Sequence, residues 1–560
     1  MKNDSNNSIT NVDEDVLAPL ILDRADEITW DDSADVVVIG YGGAGVVTAL
    51  QAKERNIDVL AIDRFDGGGA TALSGGVYYG GGTRFQREAG FDDSAEEMLK
   101  YLWMEAKGVV AYETMRRFCL NNNRDLEWLE AHGVKFGGAL TTEKTAYPAD
   151  GKFLYYSGNE RIERYARAAK PAPRGHRTIG TGFSGYAFYN ALRESADKAG
   201  IRVLTHAPVS RLVATKNGAI VGVQVAALPD AARDKHIALF KKISPFVPFK
   251  GEKSEEAIRN ARVLERICAR PKLVRARNGV VLCTGGFAYN LRMLAKYRPL
   301  LAQNYTALMR LGSMGCDGSG IELGQSVGGA VALMDSAFVA KALAPPSALL
   351  YGIVVNARGQ RFVNEDAYAG FLGDAIAAQP GGRAWLIMSG TALRKAIMGS
   401  MPGGNRQFAR YGLPILLNLA LGGTRRGRSP EALARKCGID PAALKETIDV
   451  YGATAEKGAP DPLEKSADYV EPLGKGSYTA MDISIGNKFA FTALFTLGGL
   501  VVDENNGAVK RADGAPIEGL YAAGRAAVGL CSSGYISGMS IADCVFSGRR
   551  AGEAAARRGR

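Results

Sequence analysis

The chain has 560 residues, 46% of them apolar and 23% charged, too many for one hydrophobic core and ordinary in composition for a globular enzyme. Its net charge of +11 fits a solvated basic surface, an anionic cofactor or an anionic membrane surface. Nucleic acid is a poor partner, because no zinc-finger spacing, helix-turn-helix signal or aromatic-basic stripe occurs.

Residues 1–33 open polar and acidic ("MKNDSNNSITNVDEDV"), with no basic n-region or apolar h-region, and read as a flexible or loosely docked leader. From 34, "ADVVVIGYGGAGVVTALQAKERNIDVLAIDRF" predicts a buried strand at Val36–Ile39, a helix over 43–55 and a second strand at Val59–Ile62. "SAEE" predicts a capping box between Ser94 and Glu97 opening a helix over 94–106. The stretch 201–226 reads as strands joined at Asn217-Gly218. A charged, helical excursion follows over 227–275, and "RNGVVLCTGG" supplies another strand. Residues 297–483 have a different texture of helices, loops and the short strand "GIVVN". From 484 strands return ("LGGLVVD", "GLYAAG"), then a helix from about 538. The predicted fold is α/β: a Rossmann-like dinucleotide domain in two pieces, 34–296 and 484–560, flanking an inserted α+β cap. No apolar run approaches 18 residues, and seven scattered cysteines without CxxC spacing predict reduced thiols in a cytoplasmic protein. Four histidines without helical pairing predict no metal site.

"GYGGAG" places Gly40, Gly42 and Gly45 in GxGxxG order between a buried strand and a helix, with Gly43 and Ala44 between them and Asp63 closing the next strand. That context is what a pyrophosphate needs: a tight turn, close backbone approach and a helix N-terminus. Asp63 is expected to accept the ribose hydroxyls and repel a 2′-phosphate. After Asp63 and Arg64, a second glycine-rich run holds Gly69, Ala70, Thr71, Ser74, Gly75 and Gly76. A flavin, whose pyrophosphate, ribityl chain and ring must all be enclosed by backbone, explains this run better than NAD. "GLYAAGR" fits the other half of such a site through Gly524 and Arg525. No histidine lies in the run after Asp63, so FAD is expected to bind non-covalently.

"GYGGAG", "GGGATALSGG", "RFVNEDAY", "LGGLVVD" and "GLYAAG", in that order, resemble the flavoprotein subunits of the fumarate reductase and succinate dehydrogenase superfamily. Within it, "GGGTRFQREAGFDD" and "GYISGMSIADCVFSGRRAG" are most similar to the 3-ketosteroid Δ4-(5α)-dehydrogenases. Further FAD contacts are then expected at Val209, Thr284, Gly285, Gly286, Gly538, Ser540 and Ile541. Fumarate reductases clamp and protonate a dicarboxylate with arginine and histidine; here the matching turn carries Tyr535 and Ser537, and Tyr368 follows "RFVNED". The resemblance implies a 3-keto-5α-steroid that loses hydride from carbon 5 to FAD and a proton from carbon 4. Tyr535 and Ser537 would transfer the proton and polarise the ketone, with Tyr368 a further candidate from the cap side. Glu365 and Asp366 are expected to organise the cap loop. An unidentified electron acceptor would reoxidise the flavin.

Two rivals stay open: a superfamily enzyme reducing another enone or a small acid, and a flavin electron-transfer subunit, although no iron–sulfur or haem motif is present. Finally, "LFKKISPFVPFKG" (Phe240, Phe246, Phe249 with Lys241, Lys242, Lys250) and "FARYGLPILLNLALGGTRRGR" (ending in Arg425, Arg426, Arg428) mix apolar and basic residues. Each is compatible with ordinary packing or with weak peripheral contact to an anionic bilayer.

Overall fold

The computed structural model describes residues 16–243, 251–401, 408–474 and 476–558. The Val36–Ile39 run is fully apolar, and it forms the buried end of the strand Asp32–Ile39 at the centre of a nine-stranded sheet. It pairs in parallel with Val59–Ile62 on one side (Val37 opposite Leu60) and with Arg270–Leu282 on the other (Val280 opposite Val37). Strand Arg270–Leu282 joins two sub-sheets. Its first half lies antiparallel to Ile220–Ala227, and from Val274 onward, through an irregularity between Ala276 and Gly279, it runs parallel to Asp32–Ile39. The late strand Pro516–Ala522 adds in parallel beside Val280–Leu282. This brings the C-terminal piece of the chain against the first strand–turn–helix unit. Helix Gly43–Lys53 then packs on the long C-terminal helix Met539–Arg557.

Some expectations need correction. Residues 16–33 are no loose leader: Leu20–Leu22 pairs in parallel with Val213–Thr215, and Asp32 and Ser33 already belong to the central strand. The strand's apolar and half-buried residues are short of side-chain signal, which is why composition hid it; residues 1–15 lie outside the described residues. At Ser94 only half a capping box forms. The Ser94 hydroxyl accepts the Glu97 N–H at 3.1 Å, but the Glu97 carboxylate takes the Lys170 N–H and pairs with Lys100. A complete box stands instead at Thr83 and Gln86, opening the helix Arg84–Glu88.

The excursion is an antiparallel pair of helices, Asp230–Lys242 and Gly251–Cys268. Within 297–483 a separate four-stranded sheet, ordered Ile353–Val355, Trp385–Ser389, Tyr478–Asp482, Arg425–Gly427, carries its own apolar core around Trp385, Ile387 and Leu433. Glu365 does organise this region: its carboxylate accepts the Val354 N–H at 2.8 Å and pairs with Arg361. No helix among the described residues is long and apolar enough to cross a membrane.

Thr83 also bonds His176, a fully buried histidine. His176 Nδ1–H donates to the Arg174 carbonyl (2.9 Å), so Nε2 is the acceptor for the Thr83 hydroxyl (2.8 Å). Burial pushes its pKa down to about 4. Because the folded value lies below the unfolded one, the unfolded chain takes up a proton below pH ~6.5 that the fold refuses until about pH 4, and stability falls across that window by up to about 3 kcal/mol. Replacing His176 with Gln should therefore flatten melting temperature against pH between 6.5 and 4. Parallel curves for the two proteins would remove this assignment.

Candidate active site

The strand ends, the glycine turns and the cap enclose one cavity of about 850 Å3, toward the upper end of the size usual for ligand sites. At its floor the first strand turns at Gly40, whose φ of +89° and 2.7 Å Cβ approach to the Cys283 carbonyl admit no side chain. Gly42, Gly43 and Ala44 line the cavity where helix Gly43–Lys53 begins. Gly45 does not. A Cβ there would stand 1.9 Å from the Gly40 carbonyl, so its role is to let the helix close on the turn. Gly286 and Gly524 are likewise displaced from the expected contacts. Gly286 packs against Thr496, and Gly524 donates its N–H to Ser547 Oγ (2.9 Å) while passing Ala44.

The remaining expected cofactor residues, including Gly69–Thr71, Ser74–Gly76, Val209, Thr284, Gly285, Arg525, Gly538, Ser540 and Ile541, face the cavity. Asp63 sits at its far end. The carboxylate accepts the N–H groups of Tyr41 (2.7 Å) and Phe65 (2.8 Å), yet burial still holds its pKa above the usual carboxylate value. Two carboxylate oxygens retain lone pairs beyond those two bonds, enough for a diol. Beside it Arg64 is gripped by Glu265 (2.7 Å) and Asp317 (2.5 Å). Glu265 accepts His236 Nε2–H (3.0 Å), whose Nδ1 meets His206 Nδ1 (2.9 Å), and His206 Nε2 reaches Asp66 (2.9 Å). This chain fastens the helical pair to the strand end.

FAD fits these residues on the structure's own terms. A Cβ on Gly42 would meet only the Gly68–Gly69 backbone, at 3.7 Å, three consecutive glycines, Gly67–Gly69, turn with φ of +50° to +86°, and the buried Thr284 hydroxyl has no partner within the protein. Such a wall offers backbone and an unsatisfied hydroxyl to a ligand that comes very close. None of the chain's four histidines lines it.

At the other end the structure brings Tyr535, Ser537 and Tyr368 to one wall. Tyr535 and Ser537 face inward while Ile536, fully buried, turns outward against Gly158. The Tyr535 ring is held edge-on by Phe338 (4.7 Å) and Phe495 (4.8 Å), and Tyr368 stacks on the other side of Phe338 at 5.9 Å. Tyr368 is fixed by its N–H, which donates to Asn159 Oδ1 (2.7 Å). The Ser537 hydroxyl shares a 2.9 Å hydrogen bond with Tyr155.

Burial pushes the pKa of Tyr535, Tyr368 and Tyr155 above that of a free phenol, and the neighbouring phenols push Tyr368 further. The tuning runs opposite to what a tyrosine base would need, so all three stand neutral and donate hydrogen bonds at physiological pH. The cavity wall carries four cations, Arg64, Arg266, Lys341 and Arg525. The Arg525 guanidinium lies over the Phe495 ring at 4.7 Å. Lys341 donates to the Ser484 and Ala490 carbonyls, and burial pushes its pKa down to about 7. The cap contributes an apolar wall that includes Leu343, Leu349, Ile415 and Phe489. Sequence reading missed Tyr155, Tyr411 and Lys341. Only Lys341 carried a local signal, a lone charge in "SAFVAKALAPP".

The FAD binding domain family matches residues 35–538. The 3-oxo-5-alpha-steroid 4-dehydrogenase of Comamonas testosteroni is 39% identical over 89% of this chain and 94% of its own. The 3-ketosteroid-Δ4-(5α)-dehydrogenase of Rhodococcus jostii RHA1, solved with 4-androstene-3,17-dione, superposes with a TM-score of 0.79 at 32% identity, covering 97% of this chain and 100% of that one. The fumarate reductase (cytochrome) of Shewanella frigidimarina is 24% identical over 97% of this chain and 82% of its own. The chain belongs to the FAD binding domain family and is a flavoprotein oxidoreductase with FAD as its cofactor.

Proposed function

We propose that the protein is an FAD-dependent 3-oxo-5α-steroid 4-dehydrogenase, introducing the 4,5 double bond into a 3-keto-5α-steroid. The observation that carries this is the chemistry of the wall around Tyr535: phenols, a serine and phenylalanine rings, with no histidine, and with the Arg525 guanidinium laid over the Phe495 ring. Such a surface cannot repay the desolvation of a dicarboxylate but suits a neutral ketone on an apolar ring system. The relationship to the two ketosteroid enzymes supports the same reading.

Gly40, Gly42–Ala44, Asp63, Gly69–Thr71, Ser74–Gly76, Val209, Thr284, Gly285, Arg525, Gly538, Ser540 and Ile541 would hold FAD, without a histidyl bond. When bound, FAD supplies the acceptor for hydride. The chain does the rest. A neutral Tyr535 donates its O–H to the ketone oxygen, which acidifies carbon 4. Ser537 Oγ would take that proton as its own hydroxyl proton passes to Tyr155 and the Tyr155 phenol proton leaves to solvent, so both hydroxyls end neutral. Tyr368 stiffens the opposite face of Phe338 and closes the wall from the cap. The seven cysteines are free thiols, consistent with a cytoplasmic protein, and an unidentified acceptor reoxidises the flavin.

Anaerobic titration of the holoenzyme with a 5α-reduced 3-ketosteroid should bleach the oxidised flavin band without any partner protein. Bleaching by dithionite followed by reoxidation with fumarate, and indifference to steroids, would instead mark a small-acid reductase.

A further inference from the structure

Of the two apolar-basic stretches, the first is described only in part. Phe240 turns inward, lining the cavity 4.4 Å from Phe65, and Phe246, Phe249 and Lys250 lie outside the described residues. The other lies on the cap, within a span of unusual charge. Residues 375–430 contain no Asp or Glu and eight basic residues. Six of those, Arg383, Arg394, Lys395, Arg425, Arg426 and Arg428, are exposed.

The helices Gly390–Gly399 and Leu413–Leu421 stand in this span. In the second, Leu413, Leu417 and Leu421 recur at i, i+4 and i+8 on one face. Leu413 and Leu421 are 40% and 64% exposed, and Met398 at the end of the first helix is 75% exposed. Pro414 and Asn418, on the flank of that face, line the cavity together with Ile415, on the far side, and Tyr411, just before the helix. One helix therefore separates the cavity from an exposed apolar strip with exposed cations on the same stretch of chain.

We propose that this edge of the cap docks on an anionic lipid bilayer, Leu413, Leu421 and Met398 entering the interface while the arginines face lipid phosphates. The substrate then enters from the acyl chains past Tyr411 and Ile415. Docking needs only the surface; what passes through rests on the ketosteroid reading. A second copy of this chain is a poor occupant, because a two-fold contact through this face would set its cations against their own duplicates. Anionic lipid supplies the missing negative charge and an apolar layer at once.

The test is flotation of the full holoenzyme with vesicles of phosphatidylcholine alone and with about one-third phosphatidylglycerol. The protein should float only with the anionic vesicles and should be released as salt rises to about 0.5 M. Leu413→Glu with Leu421→Glu, and separately Arg425→Glu with Arg426→Glu, should each weaken vesicle binding at least about tenfold while turnover of dissolved steroid changes less than about twofold. Neither pair lines the cavity, and flavin content reports whether each variant folds. Equal flotation with neutral vesicles, no flotation at low salt, or arginine variants that float like the parent would overturn the proposal. A protein that floats but whose flavin no steroid bleaches would leave docking intact and remove the steroid reading.

Discussion

Replacing Gly42 with Ala should leave a folded apoprotein that no longer takes up FAD. Gly42 has φ of −85°, which any residue adopts, and a Cβ built on it meets nothing nearer than 3.7 Å. The protein itself therefore has no reason to reject a methyl group at this position. The cofactor does, because the turn that opens the helix must let the pyrophosphate against bare backbone. The affinity for FAD should fall at least about 100-fold, or about 2.7 kcal/mol, while the melting temperature of the apoprotein stays put. Gly45→Ala is the contrasting case. Its Cβ would stand 1.9 Å from the Gly40 carbonyl, so the apoprotein itself should melt lower. Calorimetry of both apoproteins with fluorescence titration of FAD separates the two roles. A Gly42→Ala protein that binds FAD like its parent would show that the ligand does not approach there.

That contrast marks what was legible beforehand. Periodicity and glycine spacing encode local geometry, so the first strand–turn–helix unit, Asp63 and the two glycine-rich runs could be read directly. Whether a glycine serves the ligand or the packing depends on what stands opposite in space. Gly45 faces its own turn, Gly286 faces Thr496 and Gly524 faces Ala44, the latter two hundreds of residues away. The same distance hid Tyr155, which arrives at Ser537 across 382 positions in a short strand with no pattern of its own. Strand Leu20–Leu22 was lost for another reason. Three residues at a sheet edge, next to acidic and polar neighbours, give too little alternation to register. The direction in which Tyr535 is tuned was also out of reach, since burial is a property of the packed wall and not of the turn.

Tyr535 and Ser537 carry the largest expected effects on chemistry. Tyr535→Phe keeps the ring between Phe338 and Phe495 and removes only the hydroxyl, so flavin content and melting temperature should not move. Flavin reduction by the steroid should slow at least about tenfold, equivalent to about 1.4 kcal/mol of transition-state stabilisation. Ser537→Ala removes the hydroxyl that joins the cavity wall to Tyr155, and its loss belongs in the range of about 10²- to 10⁴-fold seen when a positioned proton acceptor is deleted. If the two act as one unit, the double variant should be barely slower than Ser537→Ala alone. The pH dependence follows from the burial of the phenols. With its pKa above that of a free phenol, Tyr535 stays protonated through neutral and mildly alkaline pH, so it imposes no loss of rate there. Stopped-flow bleaching of the flavin across that range checks both parts. A Ser537→Ala enzyme reduced at the parental rate, or an alkaline limb near neutrality that Tyr535→Phe abolishes, would mean that the proton leaves carbon 4 by another path.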